Sequence, residues 1–406
     1  MTVRAIAAGG AGVADLPDGR VVFVPRTAPG DRASIRILKS RPRWAEGALH
    51  QIEESSGERR PPLCALYAEC GGCQLQHLPY AQQLVWKGRI VADQLMRIGH
   101  LGPVEPPEVV PSPCETRYRN RISFTLRRLG GGHVVAGFHA LGRPAHVIEV
   151  KDECVLPHAA LQESWRALRS GWGQGARLLP DGGRLRLTLR ETSEGVALVV
   201  EGGSDSWSAR DLARAVPQLS AIWHGPGAPN SGPRLLEGTF DDGGTSFVQV
   251  NSEVAALMRE YVPEVAGVGE HAVDAYCGAG AYGRALAEKG WHVTGIERDP
   301  AACEEAARAA PDGFTVLQGT VESLLAEALP ADLLVVNPPR AGLDPEASRV
   351  ITEAGARRIV YVSCDPATLA RDVARLSARY ATGSIKCFDL FPQTAHVETV
   401  LVMDAR

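Results

Sequence analysis

The strongest constraint on the fold is a regular alternation of short apolar runs and helix-like segments from about residue 246 to the end of the chain. Seven strands are predicted, at His271–Ala275, Trp291–Glu297, Phe314–Gln318, Leu333–Asn337, Arg358–Ser363, Ile385–Leu390 and Val397–Met403. Strands that alternate with helices in this way assemble into a sheet with helices on both faces. We therefore predict a doubly wound, parallel α/β domain over residues 246–406.

A glycine-rich turn follows the first of these strands. Its glycines, which allow a ligand to approach the backbone closely, are Gly278, Gly280 and Gly283. Glu297 ends the second strand, where a carboxylate can accept hydrogen bonds from a ribose. The fourth strand ends in Asn337-Pro-Pro-Arg340, a loop that is unlike a dehydrogenase and typical of methyltransferases that use S-adenosylmethionine. These features predict a cofactor site at the carboxyl ends of the strands.

A cysteine lies at the carboxyl end of the fifth predicted strand. Cys364 precedes Asp365-Pro366, where the next helix would begin. Ligands of open α/β sheets bind at this edge, and a helix N-terminus lowers the pKa of a nearby thiol. A lone cysteine is more often a core residue. The cofactor features before it and the isolated Glu398 after it favour a reactive thiol here.

Four other cysteines suggest a metal centre in the first half of the chain: Cys64, Cys70, Cys73 and Cys154. Three clustered thiols and one distant thiol suit an iron–sulfur cluster with four thiolate ligands. Zinc accepts the same ligands, although the chain lacks two Cys-x2-Cys pairs, and unrelated cysteines are a third reading. The remaining cysteines, Cys114, Cys277, Cys303 and Cys387, have no partners in the pattern and are predicted to be core or incidental.

Residues 1–55 are predicted to form a small β-barrel, because turn signals separate short apolar stretches. Seven Lys or Arg and one acid lie from Arg20 to Arg43. This basic stretch fits a nucleic-acid platform and a solvated charged face about equally well. Residues 56–245 are predicted to form a central α+β domain that contains the cysteines. Within it, residues 80–105 include an amphipathic helix expected to pack on the catalytic domain.

The segment from Arg117 to Arg128 has the alternation of a strand. Arg117, Arg119 and Arg121 are predicted on one face, beside Tyr118 and Phe124, where they could meet phosphates and stacked bases. A solvated strand face is the alternative. The net charge of -4 over 406 residues gives no global attraction to nucleic acid, so any RNA affinity must be local.

The chain has no apolar run of 18 residues and no signal-peptide core. We therefore expect a cytoplasmic protein of two or three domains with no membrane contact. In such a compartment the nine cysteines favour thiols, metal ligands or catalysis over disulfides.

With these motifs in place, the sequence resembles the RNA 5-methyluridine methyltransferases, in particular the bacterial 23S ribosomal RNA members that carry a [4Fe-4S] cluster. The resemblance covers nearly the whole chain. It implies a TRAM-type, OB-like RNA-binding barrel at the N-terminus and a Rossmann-like methyltransferase at the C-terminus. It also implies that Cys64, Cys70, Cys73 and Cys154 are the cluster ligands.

The same resemblance assigns the site residues. It places Gln249, in the segment 247–251, together with Tyr276, Gly278, Gly280, Glu297 and Asn337, on S-adenosylmethionine. It makes Cys364 the nucleophile and Glu398 the general base, with His396 the next candidate for the base. Two positions depart from the family pattern: Asn337 replaces the usual Asp, and Gly319-Thr320 follows the third strand where an acid is common.

The implied reaction is methylation of carbon 5 of an unstacked uridine. The Cys364 thiolate adds to carbon 6, which makes carbon 5 nucleophilic, and Glu398 later removes the proton from carbon 5. Ribosomal RNA is the expected substrate of a monomeric enzyme, with transfer RNA as the alternative. An amino-group methyltransferase, suggested by Asn337 alone, and an RNA-binding protein without turnover also remain open.

Overall fold

The computed structural model describes residues 1–225, 233–239, 248–308 and 310–406. The strands of the described chain are β1 Val3–Ile6, β2 Gly12–Asp15, β3 Val21–Val24, β4 Arg32–Ser40, β5 Trp44–Glu54, β6 Val109–Val110, β7 Arg121–Arg128, β8 Val134–Ala140, β9 Arg143–Glu149, β10 Arg184–Thr192, β11 Gly195–Glu201, β12 Leu219–Gly225, β13 Arg234–Gly238, β14 His271–Ala275, β15 His292–Glu297, β16 Phe314–Gln318, β17 Leu333–Val336, β18 Arg358–Ser363, β19 Tyr380–Phe388 and β20 Glu398–Ala405. Its α-helices are α1 Tyr80–Arg97, α2 Ala159–Gly171, α3 Ala209–Ala215, α4 Ser252–Val265, α5 Ala281–Ala287, α6 Pro300–Arg308, α7 Val321–Ala328, α8 Pro345–Ala354 and α9 Pro366–Leu376. The predicted boundary at residues 245–246 lies outside the described residues.

The N-terminal sheet has five strands in the order β1-β2-β3-β5-β4. An antiparallel bridge between Thr2 and Arg32 joins its first and last strands, so the sheet closes on itself. Asp31 is fully buried at this closure, where its carboxylate accepts hydrogen bonds from the backbone N–H of Ala28 and from the Arg59 guanidinium. The turn-rich sequence of residues 1–55 therefore forms a compact β module.

The central sheet has seven strands in the order β13-β12-β11-β10-β7-β8-β9, and α2 and α3 pack on its apolar face. The predicted arginine row is wrong in part, because the strand begins only at Arg121 and Arg117 has a left-handed φ of 52°. Tyr118 and Phe124 are 1% and 2% exposed, and Phe124 stacks on Trp165 with ring centroids 3.7 Å apart. Neither ring is available to stack on a base.

The C-terminal sheet has eight strands in the order β16-β15-β14-β17-β18-β20-β19-β6. Its first five strands are parallel, as predicted, but β20 runs antiparallel to both β18 and β19. The physical reason is the short connection of residues 389–397, since a parallel return would need a crossover of about a dozen residues or more. The segment after α1 also adds β6 beside β19, which the sequence did not indicate.

Helix α1 packs against the C-terminal sheet and not against the central one. Val91 and Leu95 share one apolar core with Leu369 and Val373 of α9 and with Val109 of β6. The buried face of α1 is not wholly apolar, because Gln83 and Lys87 are also fully buried there.

No helix of the described residues has the length and the apolar composition that a membrane span requires.

Candidate active site

The carboxyl end of β18 and the start of β20 bring the two predicted reactive side chains together. Ser363 of β18 pairs with Thr399 of β20, so Cys364 and Glu398 directly adjoin this pair. Cys364 also lies close enough to Glu398 for the charge of the carboxylate to act on the thiol. Glu398 is 3% exposed, whereas Cys364 is half-buried. The geometry thus places a thiol beside a buried carboxyl at the edge where ligands of such sheets bind.

The pKa of Cys364 is raised, so the lowered value predicted from the helix N-terminus is wrong. Burial is the main cause, the negative charge of Glu398 adds to it, and the positive charge of Arg340 opposes it. Asp365 caps α9 and accepts hydrogen bonds of 2.9 Å from the backbone N–H of Ala367 and of Thr368. Because this carboxylate occupies the helix N-terminus, the helix offers the thiolate little stabilisation.

Burial raises the pKa of Glu398 to about 7, and Arg340 opposes the shift. A carboxylate of that pKa is well matched to general-base work near neutral pH. The pKa of His396 is lowered by partial desolvation and by the positive charge of Arg340, although its side chain reaches solvent. His396 is therefore neutral near pH 7.

Arg340 is the cation of this site, and the sequence analysis did not single it out. It influences the pKa of both Cys364 and Glu398. Its loop is anchored by the buried carboxylate of Asp372, which accepts hydrogen bonds from the N–H of Leu343 over 2.7 Å and from the hydroxyl of Tyr361 over 2.8 Å. The sequence feature that could have identified Arg340 as a site residue is its position directly after Pro-Pro at the end of a strand.

Glu297 occupies the end of β15, as predicted for a ribose-binding acid. One of its oxygens accepts from the N–H of Gly278 over 3.0 Å, and the other accepts from Arg298 and Asp299 over 2.8 Å. The oxygen that accepts from Gly278 keeps a further lone pair for a ligand, whereas the other oxygen already accepts two hydrogen bonds. Gly278 has a left-handed φ of 55°, and no atom lies within 4 Å of the position that its Cβ would take. This open space fits close approach of a ligand to the backbone.

Gly280 and Gly283 have a different explanation from the one predicted. A Cβ on Gly280 would lie 2.6 Å from the ring of Phe314, and a Cβ on Gly283 would lie 2.5 Å from it. Both glycines therefore make room for a core aromatic residue.

Asp274, which the sequence analysis did not assign to the site, lies fully buried beneath the glycine turn. Its Oδ2 accepts from the N–H of Gly283 over 2.7 Å, while Oδ1 has no partner in the described chain. Burial raises its pKa to about 7. A buried oxygen without a partner at the expected cofactor edge could accept a hydrogen bond from the cofactor. The sequence feature that could have identified Asp274 is its position near the end of β14.

Of the other predicted cofactor residues, Tyr276 and Asn337 directly follow β14 and β17 at this edge, whereas Gln249 lies before α4. Tyr276 has a left-handed φ of 62°, and its hydroxyl donates to Glu322 over 3.2 Å. The half-buried Asn337 follows β17, and its side-chain amide makes no hydrogen bond within the described residues. The carbonyl of Gln249 accepts from the Asn120 side chain over 3.0 Å. Phe247, the first residue of the predicted cofactor segment, lies outside the described residues.

The four predicted metal ligands converge in a separate place, next to β8 and the segment before β7. Burial raises the pKa of Cys73 to about 11, with smaller contributions from Cys70 and Cys64. Burial likewise raises the pKa of Cys154 to about 12, with contributions from Cys73 and Cys64. The Arg26 guanidinium donates to the carbonyls of Cys73 and Cys70 over 2.5 and 2.6 Å. The four thiols thus lie within electrostatic reach of one another.

Nevertheless, no group of three or more His, Cys, Asp or Glu side chains in the described residues is arranged to hold a metal ion. The donor set fits an iron–sulfur cluster in number and in kind, since such clusters are held by four thiolates. The predicted cluster is therefore not shown by the structure.

Comparison with known proteins finds matches at both ends of the chain. Residues 313–406 match the profile of the tRNA (Uracil-5-)-methyltransferase family. Residues 2–49 match the TRAM domain. The second match covers the closed five-stranded module, and the first covers the strands that carry Cys364 and Glu398.

Full-length relatives agree with these matches. A protein of Nitratidesulfovibrio vulgaris is 32% identical, with 99% of this chain and 95% of the relative covered. One of Halalkalibacterium halodurans is 30% identical, with 100% and 96% covered. Both are named only as uncharacterized RNA methyltransferases. Among solved structures, the tRNA (uracil-54, C5)-methyltransferase of Pyrococcus abyssi, in complex with S-adenosyl-L-homocysteine, is 26% identical with a TM-score of 0.75 over 99% of both chains.

Proposed function

This chain belongs to the RNA uracil-5-methyltransferase family, and from that we infer that it methylates carbon 5 of a uridine in RNA through a covalent intermediate on Cys364. The observation that supports the covalent mechanism is the pairing of Ser363 with Thr399, because Cys364 and Glu398 adjoin this pair and the charge of Glu398 acts on the thiol. The first step of the reaction needs a nucleophile and the last step needs a base, and both are present at this site. An amino-group methyltransferase requires neither, so the family and the site both favour the uridine reaction.

In the proposed mechanism, the Cys364 thiolate forms a bond to carbon 6 of the ring, and the electrons of the carbon 5–carbon 6 double bond make carbon 5 nucleophilic. S-adenosylmethionine, when bound, would supply an electrophilic methyl group to carbon 5 and would leave as S-adenosylhomocysteine when its sulfur–methyl bond breaks. Glu398 then accepts the proton of carbon 5, the double bond re-forms, and the carbon–sulfur bond breaks to return the thiolate. Arg340 is the group that favours the anionic forms of both side chains.

The cofactor would lie along the edge formed by β14, β15 and β17. Glu297 would bind the ribose hydroxyls, and Gly278 would allow the close approach of the cofactor. Tyr276, Asn337 and Gln249 would complete the contacts, as the resemblance implies. Asp274 adds an unpartnered acceptor to this set.

The substrate is proposed to be a uridine of 23S ribosomal RNA, flipped out of its stack and bound with the help of the TRAM domain. Transfer RNA is the second candidate, because the Pyrococcus abyssi enzyme with the same overall fold acts on uridine 54 of tRNA. We propose a cytoplasmic monomer with domains at 1–55, 56–245 and 246–406. Mapping of 5-methyluridine by mass spectrometry in both RNAs from a deletion strain separates the two substrates.

We also propose that Cys64, Cys70, Cys73 and Cys154 hold a [4Fe-4S] cluster. The support is their shared location and the nearby cation Arg26, which favours thiolates over thiols. No chemical step of the proposed reaction passes through this cluster.

The mechanism is tested by trapping the covalent intermediate. Glu398→Gln keeps the size of the side chain and removes its basicity. RNA bound to this variant should therefore stay attached, already methylated, on a denaturing gel, and the adduct should be absent from the Cys364→Ala, Glu398→Gln double variant. Full turnover by Glu398→Gln would assign the base to another group, and methylation by Cys364→Ala would exclude the covalent route.

A further inference from the structure

The loop before Glu398, residues 389–397 and hereafter the base loop, is held from outside the sheet that carries it. In the described chain, every hydrogen bond that links residues 391–395 to a residue outside the base loop ends between residues 60 and 118. Tyr118 donates to the carbonyl of Pro392 over 3.0 Å, and the Gln74 side chain accepts from the N–H of Ala395 over 3.3 Å. The placement of the base therefore depends on an earlier part of the chain.

Gln393 is the centre of these contacts. It is fully buried and has a left-handed φ of 70°. Its backbone N–H donates to the Gln83 side chain of α1 over 3.0 Å. Its carbonyl accepts from the backbone N–H of both Gln74 and Leu75, each over 3.0 Å. The backbone of this one residue thus joins the base loop to α1 and to the segment directly after Cys73.

The side chain of Gln393 makes four further hydrogen bonds. Its Oε1 accepts from Gln83 over 3.0 Å and from Arg60 over 3.1 Å. Its Nε2 donates to the carboxylate of Glu115 over 3.0 Å and to the carbonyl of Glu115 over 3.2 Å. These bonds use both acceptor sites and both donors of a carboxamide. A side chain bonded in every direction has one orientation, which makes it a rigid reference point for the loop.

The start of the base loop has a second attachment to the same helix. Lys87 and Asp389 form a fully buried ion pair of 2.5 Å, and Lys87 also donates to the carbonyl of Phe391 over 3.0 Å. Gln83 and Lys87 are four residues apart and so lie on one face of α1. Helix α1 therefore contacts the base loop at two points, before and after Phe391.

We propose that Gln393 is a positioning residue for the last step of the reaction. By fixing the base loop to the cysteine-containing loop, residues 64–77, and to α1, it holds the Glu398 carboxylate where it removes the proton from carbon 5. This role rests on the proposed function. A base must lie within hydrogen-bond reach of its proton, and a displacement of about 1 Å can cost roughly a hundredfold in rate.

The role predicts an effect on one step only. Cys364 is fixed by β18 and by the Asp365 cap of α9, neither of which touches Gln393 in the described chain. Addition and methyl transfer should therefore survive when the base loop shifts, while proton removal and release of the RNA should slow. A residue with only a structural role would depress both steps together.

The test is a single-turnover assay of Gln393→Gly with RNA and labelled S-adenosylmethionine. Glycine tolerates the left-handed φ, so the substitution removes the side-chain bonds without backbone strain. Total methyl transfer to RNA should stay within about threefold of the wild type, while release of free 5-methyluridine RNA should slow by about tenfold or more. The methylated covalent adduct should accumulate. Gln83→Ala, which removes the partner from α1, should have the same effect in weaker form.

His100→Gly is the matched control, because His100 is an exposed residue with a left-handed φ of 52° at the end of α1. It should release RNA at the wild-type rate. Equal losses in both steps, or an unchanged release rate in Gln393→Gly while the wild type turns over, would overturn the positioning role alone. A wild-type protein that forms neither adduct nor 5-methyluridine would overturn the proposed function, and this role with it.

Discussion

At the scale of single residues, the site is a balance of three charges. Cys364 is flanked by Glu398, which disfavours its thiolate, and by Arg340, which favours it. Burial disfavours the anion of both Cys364 and Glu398. The free enzyme thus keeps its nucleophile mostly protonated, and the two neighbouring charges set how much thiolate is present.

Alkylation of Cys364 by iodoacetamide measures this balance directly, since only the thiolate reacts. At pH 8, Glu398→Gln should alkylate faster than the wild type and Arg340→Met more slowly, each by about two- to tenfold. Peptide mapping by mass spectrometry separates the sites, and the exposed Cys114 provides the internal control. The opposite order of the two variants would show that these charges do not govern the thiol.

The raised pKa of Glu398 also has a consequence for stability. Its folded-state pKa is about 7, above the ordinary value of about 4.3 in an unfolded chain. The folded protein therefore binds the proton more tightly, and stability falls as pH rises from about 4.3 to about 7, by on the order of 3 kcal/mol in total. Glu398→Gln does not titrate, so it should have a higher melting temperature than the wild type at pH 8, with the difference shrinking toward pH 5. A difference independent of pH would contradict the assignment.

At the scale of elements, α1 belongs to the catalytic sheet through polar as well as apolar contacts. Its Lys87 is fully buried, and burial lowers the pKa of this amine against the opposing charge of Asp389. The second carboxylate oxygen of Asp389 has no hydrogen-bond partner in the described chain. The ion pair is therefore the main compensation for two buried charges.

Removal of one partner should be costly, because the other charge stays buried alone. Lys87→Met should destabilise the protein by about 3–5 kcal/mol, and the double variant Lys87→Met, Asp389→Asn should recover a large part of that loss. The exposed Lys289 supplies the control, since Lys289→Met should change little. Urea unfolding of the four proteins provides the measurement. Equal stability of the single and double variants would show that the charges are not coupled.

At the scale of the whole molecule, the cysteine-containing loop lies between the N-terminal module and the catalytic sheet. Arg26 of the N-terminal module donates to the carbonyls of Cys70 and Cys73. On the other side, Gln74 and Leu75 donate to Gln393 of the base loop. A cluster on these cysteines would therefore stiffen the contact between the two ends of the chain.

Iron content tests the cluster without reference to activity. Protein purified without oxygen should contain about four irons per chain, as expected for four-thiolate ligation of a [4Fe-4S] cluster. Cys154→Ser should lose most of this iron, whereas Cys114→Ser, at an exposed cysteine outside the group, should keep it. Stoichiometric zinc without iron in the wild type would refute the cluster.

The sequence by itself determined the order and approximate bounds of the strands from β14 to β18. Buried strands of parallel sheets are continuous apolar runs, and loops with glycine, proline or acids end them, so both signals are local. For the same reason the sequence placed Cys364, Glu398 and Glu297 at strand ends. The composition of β20 did not predict its direction, because an apolar strand has the same pattern of residue types whether it runs parallel or antiparallel to its neighbours.

The pKa values, packing neighbours and long-range hydrogen bonds of these residues are set by the tertiary structure and could not be predicted from the sequence. The pKa of Cys364 is raised and not lowered, because the thiol is partly buried and lies near the negative charge of Glu398. Gly280, at the start of α5, makes room for the ring of Phe314, which lies in β16. Gln83 and Gln393 are 310 residues apart, and their hydrogen bonds leave no periodicity in either segment. Burial and long-range contacts are properties of the packed chain, and a local pattern of residue types does not encode which distant partner will satisfy a buried polar group.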